Sequence, residues 1–387
     1  MRIVADDAIP FISRVFDPAH QLTLLNHREI TRESLKHTDI LIVRSVTRVD
    51  EALLDGTDVK IVATATSGID HVEQTYLQSA GITLINTPGC NARSVAEYVL
   101  SSIYVLGRKN IIDPTDITVG IIGCGHVGTC VASLLAATGC RYMLYDPPLQ
   151  AAGDDREYAS LEEIQAADII TLHVPLDMEG PHPTYRLVDE HFLSAVKTNA
   201  VIINSSRGGV IDELALLDHL NTDKLASVVL DVWENEPQIN QALLSKTIIS
   251  TPHIAGYSLD AKYQGVRQVS EKIYKLYPAD NTIPSPDIAL PMADRYLTVT
   301  DAMDDNEVIQ FAVLSGYDVS KDSDRFKQVS NGQEDYSGKK FADFRKNYPV
   351  RREFTNFTVC LPPSRKMCRL QLEGLGFKVT LQENNIS

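Results

Sequence analysis

Apolar residues in the first half of the chain follow two rhythms. Short β-branched runs stand at Arg2–Ala5, Ile40–Val43, Lys60–Ala65 and Thr83–Asn86, and these predict strands. Between them lie stretches such as Val72–Ser79, whose spacing is helical. A longer helix is predicted over Asn91–Arg108, because Val95, Val99, Ile103 and Leu106 fall three or four residues apart on one face. Asp113-Pro114 breaks this pattern. A second alternation then places strands at Thr118–Ile122, Tyr142–Tyr145, Asp168–His173, Ala200–Asn204, Ser227–Asp231 and Thr247–Ser250. Strands alternating with helices imply parallel sheets covered by helices. Six such strands is the count of a doubly wound dinucleotide-binding sheet. A helix over Leu259–Leu276 follows, then a Pro-rich linker at 282–291. From about Met292 the chain is more polar. Strands expected at Tyr296–Thr300, Thr358–Leu361 and Lys378–Leu381, with helices between them, describe a small α/β domain.

The balance of residue types narrows the partners. Of 387 residues, 44% are hydrophobic and 22% charged, enough apolar material for a buried core in two or three domains. The formal charge of -15 argues against nucleic acid and anionic membrane as main partners. An anionic substrate must therefore meet a local Arg or Lys. The six cysteines form no CxxC pair, which argues against a metal site and suits a reducing cytoplasm. The N-terminal residues are too acidic for a signal peptide, and no apolar run approaches a membrane span.

Gly123-Cys-Gly-His-Val-Gly128 is a GxGxxG between a predicted strand and a predicted helix from Val127 to about Leu135. In that context Gly123 makes the tight turn, Gly125 lets backbone approach a pyrophosphate, and Gly128 lets helix and strand pack closely. The helix start, with His126 and Val127, offers free N–H groups to phosphate. Asp146, at the end of the next strand, is placed to accept hydrogen bonds from the adenosine ribose, which favours NAD over NADP.

Three later strand ends carry chemistry suited to oxidising a 2-hydroxy acid. Arg207, in Asn204-Ser-Ser-Arg-Gly-Gly, can clamp a carboxylate through two hydrogen bonds. Asp231-Val-Trp-Glu-Asn-Glu-Pro237 offers the acids Asp231, Glu234 and Glu236. Thr251-Pro-His-Ile-Ala-Gly-Tyr257 offers His253, a proton carrier that an acid partner can tune.

NSSRGGVIDE, DVWENEP and TPHIAGYS resemble the three signature blocks of the D-isomer-specific 2-hydroxyacid dehydrogenases. The resemblance covers about Met1 to Tyr277 and implies that Arg207, Glu236 and His253 are the catalytic set. It also implies a Rossmann-type NAD domain, 93–257, inserted into a flavodoxin-like substrate domain, 1–92 and 258–285, with the active site in the cleft. Arg44-Ser-Val-Thr-Arg48, Ser67-Gly-Ile-Asp-His71, Gly180-Pro-His-Pro-Thr184 and the C-terminal extension resemble a narrower branch that acts on 4-phospho-D-erythronate in vitamin B6 synthesis. That likeness implies substrate contacts from Ser45, Thr66, Ser67, Gly68 and Tyr257, and cofactor contacts from Val174, Ser205, Ser206, Arg207, Asp231 and Gly256. It further implies that the extension, 286–387, is an α/β dimerisation domain. Its basic, aromatic run Phe341–Phe354 is the expected homodimer contact. Arg44, flanking Ser45, is the expected phosphate ligand, with Arg48 as second choice. Two alternatives stay open: another D-2-hydroxyacid dehydrogenase such as one for 3-phosphoglycerate, and an NAD-sensing corepressor that binds protein partners.

Overall fold

A computed structural model of the protein describes residues 1–16, 20–222, 225–277, 290, 295–300, 302–330 and 338–382. The Pro-rich segment 282–291 lies, apart from Leu290, outside the described residues. The chain forms two compact units: residues 1–92 with 257–291, and residues 93–256 with 292–387.

The first unit holds five strands: β1 (Arg2–Asp6), β2 (Gln21–Leu25), β3 (Ile40–Val43), β4 (Ile61–Thr64) and β5 (Thr83–Ile85). All pair in parallel in the order β2-β1-β3-β4-β5, the flavodoxin-like arrangement. Alternate residues serve opposite faces. Ile3, Ile40, Ile42 and Ile61 pack under Val266, Val269 and Ile273 of the helix Leu259–Leu276. Val4, Leu41, Val43 and Val62 meet Leu35, Leu54 and Leu77 on the other face. The sharpest approach is at Gly265, where an added Cβ would lie 2.4 Å from the Ala65 carbonyl oxygen; that helix can lie close to the end of β4 only without a side chain there.

The second unit is built on β6 (Thr118–Ile122), β7 (Arg141–Tyr145), β8 (Ile169–Leu172), β9 (Val201–Asn204), β10 (Ser227–Leu230) and β11 (Ile249–Ser250). They form one parallel sheet in the order β11-β10-β9-β8-β6-β7. Strand order reverses at β6, so the β6 and β8 ends form the crevice where such sheets take ligands. One face, with Val119, Ile121, Val201, Ile203 and Val229, packs against the helices Ala92–Arg108 and His126–Thr138.

The C-terminal extension was expected as a domain of its own. Its sheet, β12 (Arg295–Thr298), β13 (Phe357–Leu361) and β14 (Lys378–Leu381), is parallel in that order. Its apolar side chains, however, enter the cores of the second unit. Val308, Val313, Phe354, Val359 and Phe377 share a cluster with Val99 and Ile103. Phe326 and Phe341 join the cluster on the opposite face of the β6–β11 sheet. Ser323 Oγ accepts a hydrogen bond from Ser250 N at 3.0 Å, so the helix Val319–Ser330 covers edge strand β11. The basic run Phe341–Phe354 is not one helix. The helix ends at Lys346, and Arg351 and Arg352 are buried within the chain.

Candidate active site

The glycine-rich turn fits its cofactor glycine by glycine. Gly123 has φ +90°, and a Cβ there would lie 2.7 Å from the His173 carbonyl carbon and 2.8 Å from Val174 N. A Cβ on Gly128 would lie 2.0 Å from Gly123 O, while one on Gly125 would meet nothing within 4 Å. The tight turn and close packing are thus internal, and open space stands where a pyrophosphate would approach. Gly125 caps the helix His126–Thr138 with no side-chain hydrogen bond, leaving the first N–H groups for a ligand. Nearby, Ser205 Oγ and His173 Nδ1 are buried with no hydrogen-bond partner among the described residues. Buried polar atoms of this kind ordinarily find one, so the donor set fits a bound dinucleotide. Ser206 differs, because its hydroxyl donates to Asn204 Oδ1 at 2.8 Å.

Asp146 has two internal duties. Oδ2 accepts from Cys124 N at 2.7 Å, and Oδ1 accepts from Leu149 N at 3.0 Å, capping the helix Pro147–Ala151. The acid therefore ties the glycine turn to the end of β7. Arg156, which sequence patterning missed, braces the same turn by donating to Cys124 O at 3.0 Å and Thr129 Oγ1 at 2.9 Å. Cys124 is filler: burial, aided by the Asp146 charge, pushes its thiol up to about 11.

Arg207, Glu236 and His253 follow β9, β10 and β11, three neighbouring strand ends. Of the three acids offered, Glu236 meets the histidine, with Oε2 2.8 Å from His253 Nδ1. Its Oε1 accepts from Trp233 N at 2.9 Å. Burial pushes the Glu236 carboxyl up, but the charge and hydrogen bond of His253 outweigh it and leave the group below its ordinary range. With Nδ1 donating to this carboxylate, Nε2 is left as the proton acceptor.

Asp231, an expected cofactor contact, has its carboxylate bonded inside the protein. Oδ1 accepts from Thr251 Oγ1 at 2.6 Å and Ile254 N at 2.8 Å, and Oδ2 accepts from Ala255 N at 2.9 Å. Thr251 in turn accepts from the buried Tyr98 hydroxyl at 2.8 Å. Trp233 Nε1 donates to Thr251 O at 3.0 Å. The Arg207 loop joins this assembly through Gly208, where a Cβ would lie 2.0 Å from the Trp233 carbonyl. Glu213 accepts from Glu234 N at 2.7 Å; burial, with the charges of Glu234 and Glu236, pushes its carboxyl up to about 7. Arg207 Nη1 donates to Ser206 O at 2.8 Å.

In the first unit, Arg44 and Ser45 follow β3, and Thr66, Ser67 and Gly68 follow the adjacent β4. Arg44 Nε is held at 2.9 Å by the buried Asp6 at the end of β1. Arg48 is exposed and pairs with Asp50 at 2.9 Å, an ordinary surface pairing. Thr66 Oγ1 lies 2.8 Å from Thr64 Oγ1. Tyr257 has Lys262 Nζ 4.6 Å from its ring centroid.

The comparisons with known proteins agree with this geometry. Residues 103–255 match the model of the D-isomer specific 2-hydroxyacid dehydrogenase NAD binding domain, and residues 290–374 match a domain of unknown function. The chain is 40% identical to erythronate-4-phosphate dehydrogenase of Marinobacter nauticus, over 98% of this chain and 100% of that one. The enzyme of the same name from Photorhabdus laumondii is also 40% identical, with the same coverage. Among solved structures, D-lactate dehydrogenase of Aquifex aeolicus, complexed with NAD and lactic acid, shares the fold at TM-score 0.58 and 24% identity, covering 72% of this chain and 96% of that one. D-2-hydroxyisocaproate dehydrogenase does so at TM-score 0.60 and 24% identity, covering 73% and 98%.

Replacing Asp146 with Ser keeps a helix cap but removes the charge and the bond to Cys124 N. The preference for NAD over NADP, measured as a ratio of kcat/KM values, should narrow by about tenfold or more as repulsion of a ribose phosphate is lost. Urea unfolding should show a loss of about 1 kcal/mol. An unaltered cofactor ratio would remove Asp146 from cofactor choice.

Proposed function

The chain belongs to the erythronate-4-phosphate dehydrogenases, a branch of the NAD-dependent D-isomer-specific 2-hydroxyacid dehydrogenase family, and on that premise we propose that it oxidises 4-phospho-D-erythronate to (R)-3-hydroxy-2-oxo-4-phosphooxybutanoate. The observation that carries this reading is the 2.8 Å Glu236–His253 pair, beside Arg207 on the neighbouring strand end. A bound NAD would supply the hydride acceptor for C2 of the substrate. The glycine turn 123–128, the N-terminus of the following helix and Ser205 would hold it. His253 Nε2 accepts the C2 hydroxyl proton as the carbonyl forms. Glu236 fixes the imidazole tautomer and stabilises the imidazolium. Arg207 clamps the C1 carboxylate through its guanidinium.

Arg44 is the proposed phosphate ligand. Asp6 aims it from the end of β1, and Ser45 and the Thr66–Gly68 turn stand on the same set of strand ends. Phosphate contacts supply binding energy that a substrate without phosphate lacks, so both affinity and turnover depend on them. Vitamin B6 synthesis is the proposed pathway and the cytoplasm the proposed compartment. Six free thiols suit a reducing environment, and among the described residues no helix is long and apolar enough to cross a membrane. The extension is proposed to carry a homodimer contact as well. Tyr296, Val350, Met367 and Leu370 are large apolar residues left exposed on it, and a partner that covered them would take apolar area out of water.

A substrate panel read by NADH absorbance tests the reaction. 4-Phosphoerythronate should exceed erythronate and 3-phosphoglycerate by about a hundredfold or more in kcat/KM. Equal use of either would refute the substrate, and no turnover with any 2-hydroxy acid would favour a protein-binding role. Sedimentation equilibrium tests assembly: twice the 42.8 kDa chain mass is expected, and a monomer at micromolar concentration would rule the dimer out.

A further inference from the structure

Two residues beyond His253, the backbone of Ala255 is held from both sides. Its N–H donates to Asp231, as described, and its carbonyl accepts from Arg351 Nη1 at 2.9 Å. Arg351 belongs to the C-terminal extension, far along the chain from the glycine turn and the strand ends. Its Nη2 donates to Ser94 O at 2.5 Å, in the helix Ala92–Arg108. Its guanidinium carbon lies 3.7 Å from the centroid of the Tyr317 ring, and the residue is 6% exposed. The Asp322 carboxylate supplies opposite charge near it, while burial pushes the nearby Glu97 carboxyl up to about 7.

Taking a guanidinium out of water is costly, and the cost is offset only by well-placed partners. Two carbonyls and an aromatic face provide them here, and one of those carbonyls lies on the histidine loop. A second contact from the extension falls on the other half of the pair. A Cβ on Gly338 would lie 2.5 Å from the Pro237 side chain, immediately after Glu236. From the helix that begins there, Arg345 adds positive charge that favours the ionised Glu236.

We propose that Arg351 is a positioning residue for the dehydrogenase reaction: through the Ala255 carbonyl it sets the placement of the His253 loop, so that the C-terminal extension helps define the Glu236–His253 geometry. The proposal rests on the reading of that pair as the proton-accepting machinery. Arg351 touches neither substrate nor cofactor in this account and acts through the loop alone.

The test is Arg351→Lys, which keeps the charge but cannot reach both carbonyls with one planar fork. Relative to wild type, kcat should fall about 10- to 100-fold, with NAD affinity changed less than about threefold. The rising limb of the kcat/KM pH profile should move to lower pH as Glu236 loses its hold on the imidazole. Hydrogen exchange at Ile254 and Ala255 should quicken about tenfold or more, while β8 is unchanged; this readout needs no substrate. Wild type without turnover on any 2-hydroxy acid would sink the function instead, and the exchange result would still judge Arg351. Wild-type kcat, pH profile and exchange in Arg351→Lys would overturn the proposal, as would a loss of NAD affinity equal to the loss of kcat. If that variant does not fold, Tyr317→Leu, which removes the ring beneath the guanidinium, should lower kcat about 3- to 10-fold with NAD affinity retained. Unchanged kcat there would overturn it equally.

Discussion

Asp231 buries a carboxylate completely, and the rest of the site is arranged around that fact. Burial pushes its pKa up, against the His253 charge and the hydrogen bonds it accepts. An unpaired charge in such a place would cost several kcal/mol. Three donors from the segment 251–255 converge on it, and its own carbonyl accepts from His253 N at 2.6 Å. The loop is thereby pinned on either side of His253. That grip matters because His253 has φ 57°, a left-handed conformation that costs a non-glycine residue about 1–2 kcal/mol. The imidazole is held where the loop alone would not leave it, facing Glu236.

The same economy of position runs outward. Trp233 gives its backbone N–H to Glu236 and its indole N–H to Thr251, so one residue spaces the acid loop from the histidine loop. Gly208 lets the arginine loop lie on the Trp233 peptide. Beyond these, the extension fills both faces of the sheet with Phe354, Phe377, Phe326 and Phe341. The solved dehydrogenases cited above match at most 73% of this chain while being covered almost completely themselves. The fold is thus shared with them, and in this chain the extension adds packing and, in our proposal, aim.

Much of this was legible from the chain. Strands β3, β4, β6 and β9 are fully buried or nearly so, which is why they read as continuous apolar runs. Strand β2 was missed because it is an edge strand with its residues mostly exposed, so its pattern carries no core signal. The glycine turn was legible because Gly123 and Gly128 answer steric demands within the chain, while Gly125 leaves open the space a pyrophosphate would take. The choice among Asp231, Glu234 and Glu236 was not decided by residue type, since all three are acids at one strand end. The likeness to the family's signature blocks singled out Glu236, and the structure shows Asp231 turned inward and Glu236 turned to His253. Arg351 was legible only as part of the basic run 341–354, and its buried role gave no signal. A basic residue in a basic run reads as solvated, and its partners are carbonyl oxygens, which every residue has.

The claim on which all of this turns is that a carboxylate-held imidazole accepts the substrate proton. The pH dependence of kcat/KM in wild type and in Glu236→Gln tests it most directly. In the oxidative direction wild type should rise with pH through one ionisation, because the imidazole must be neutral to accept the proton. Glu236→Gln should lose about two to four powers of ten and show that limb at lower pH, with NAD binding preserved. A variant with near-normal rate and an unmoved profile would contradict the account and remove the Glu236–His253 pair from the chemistry.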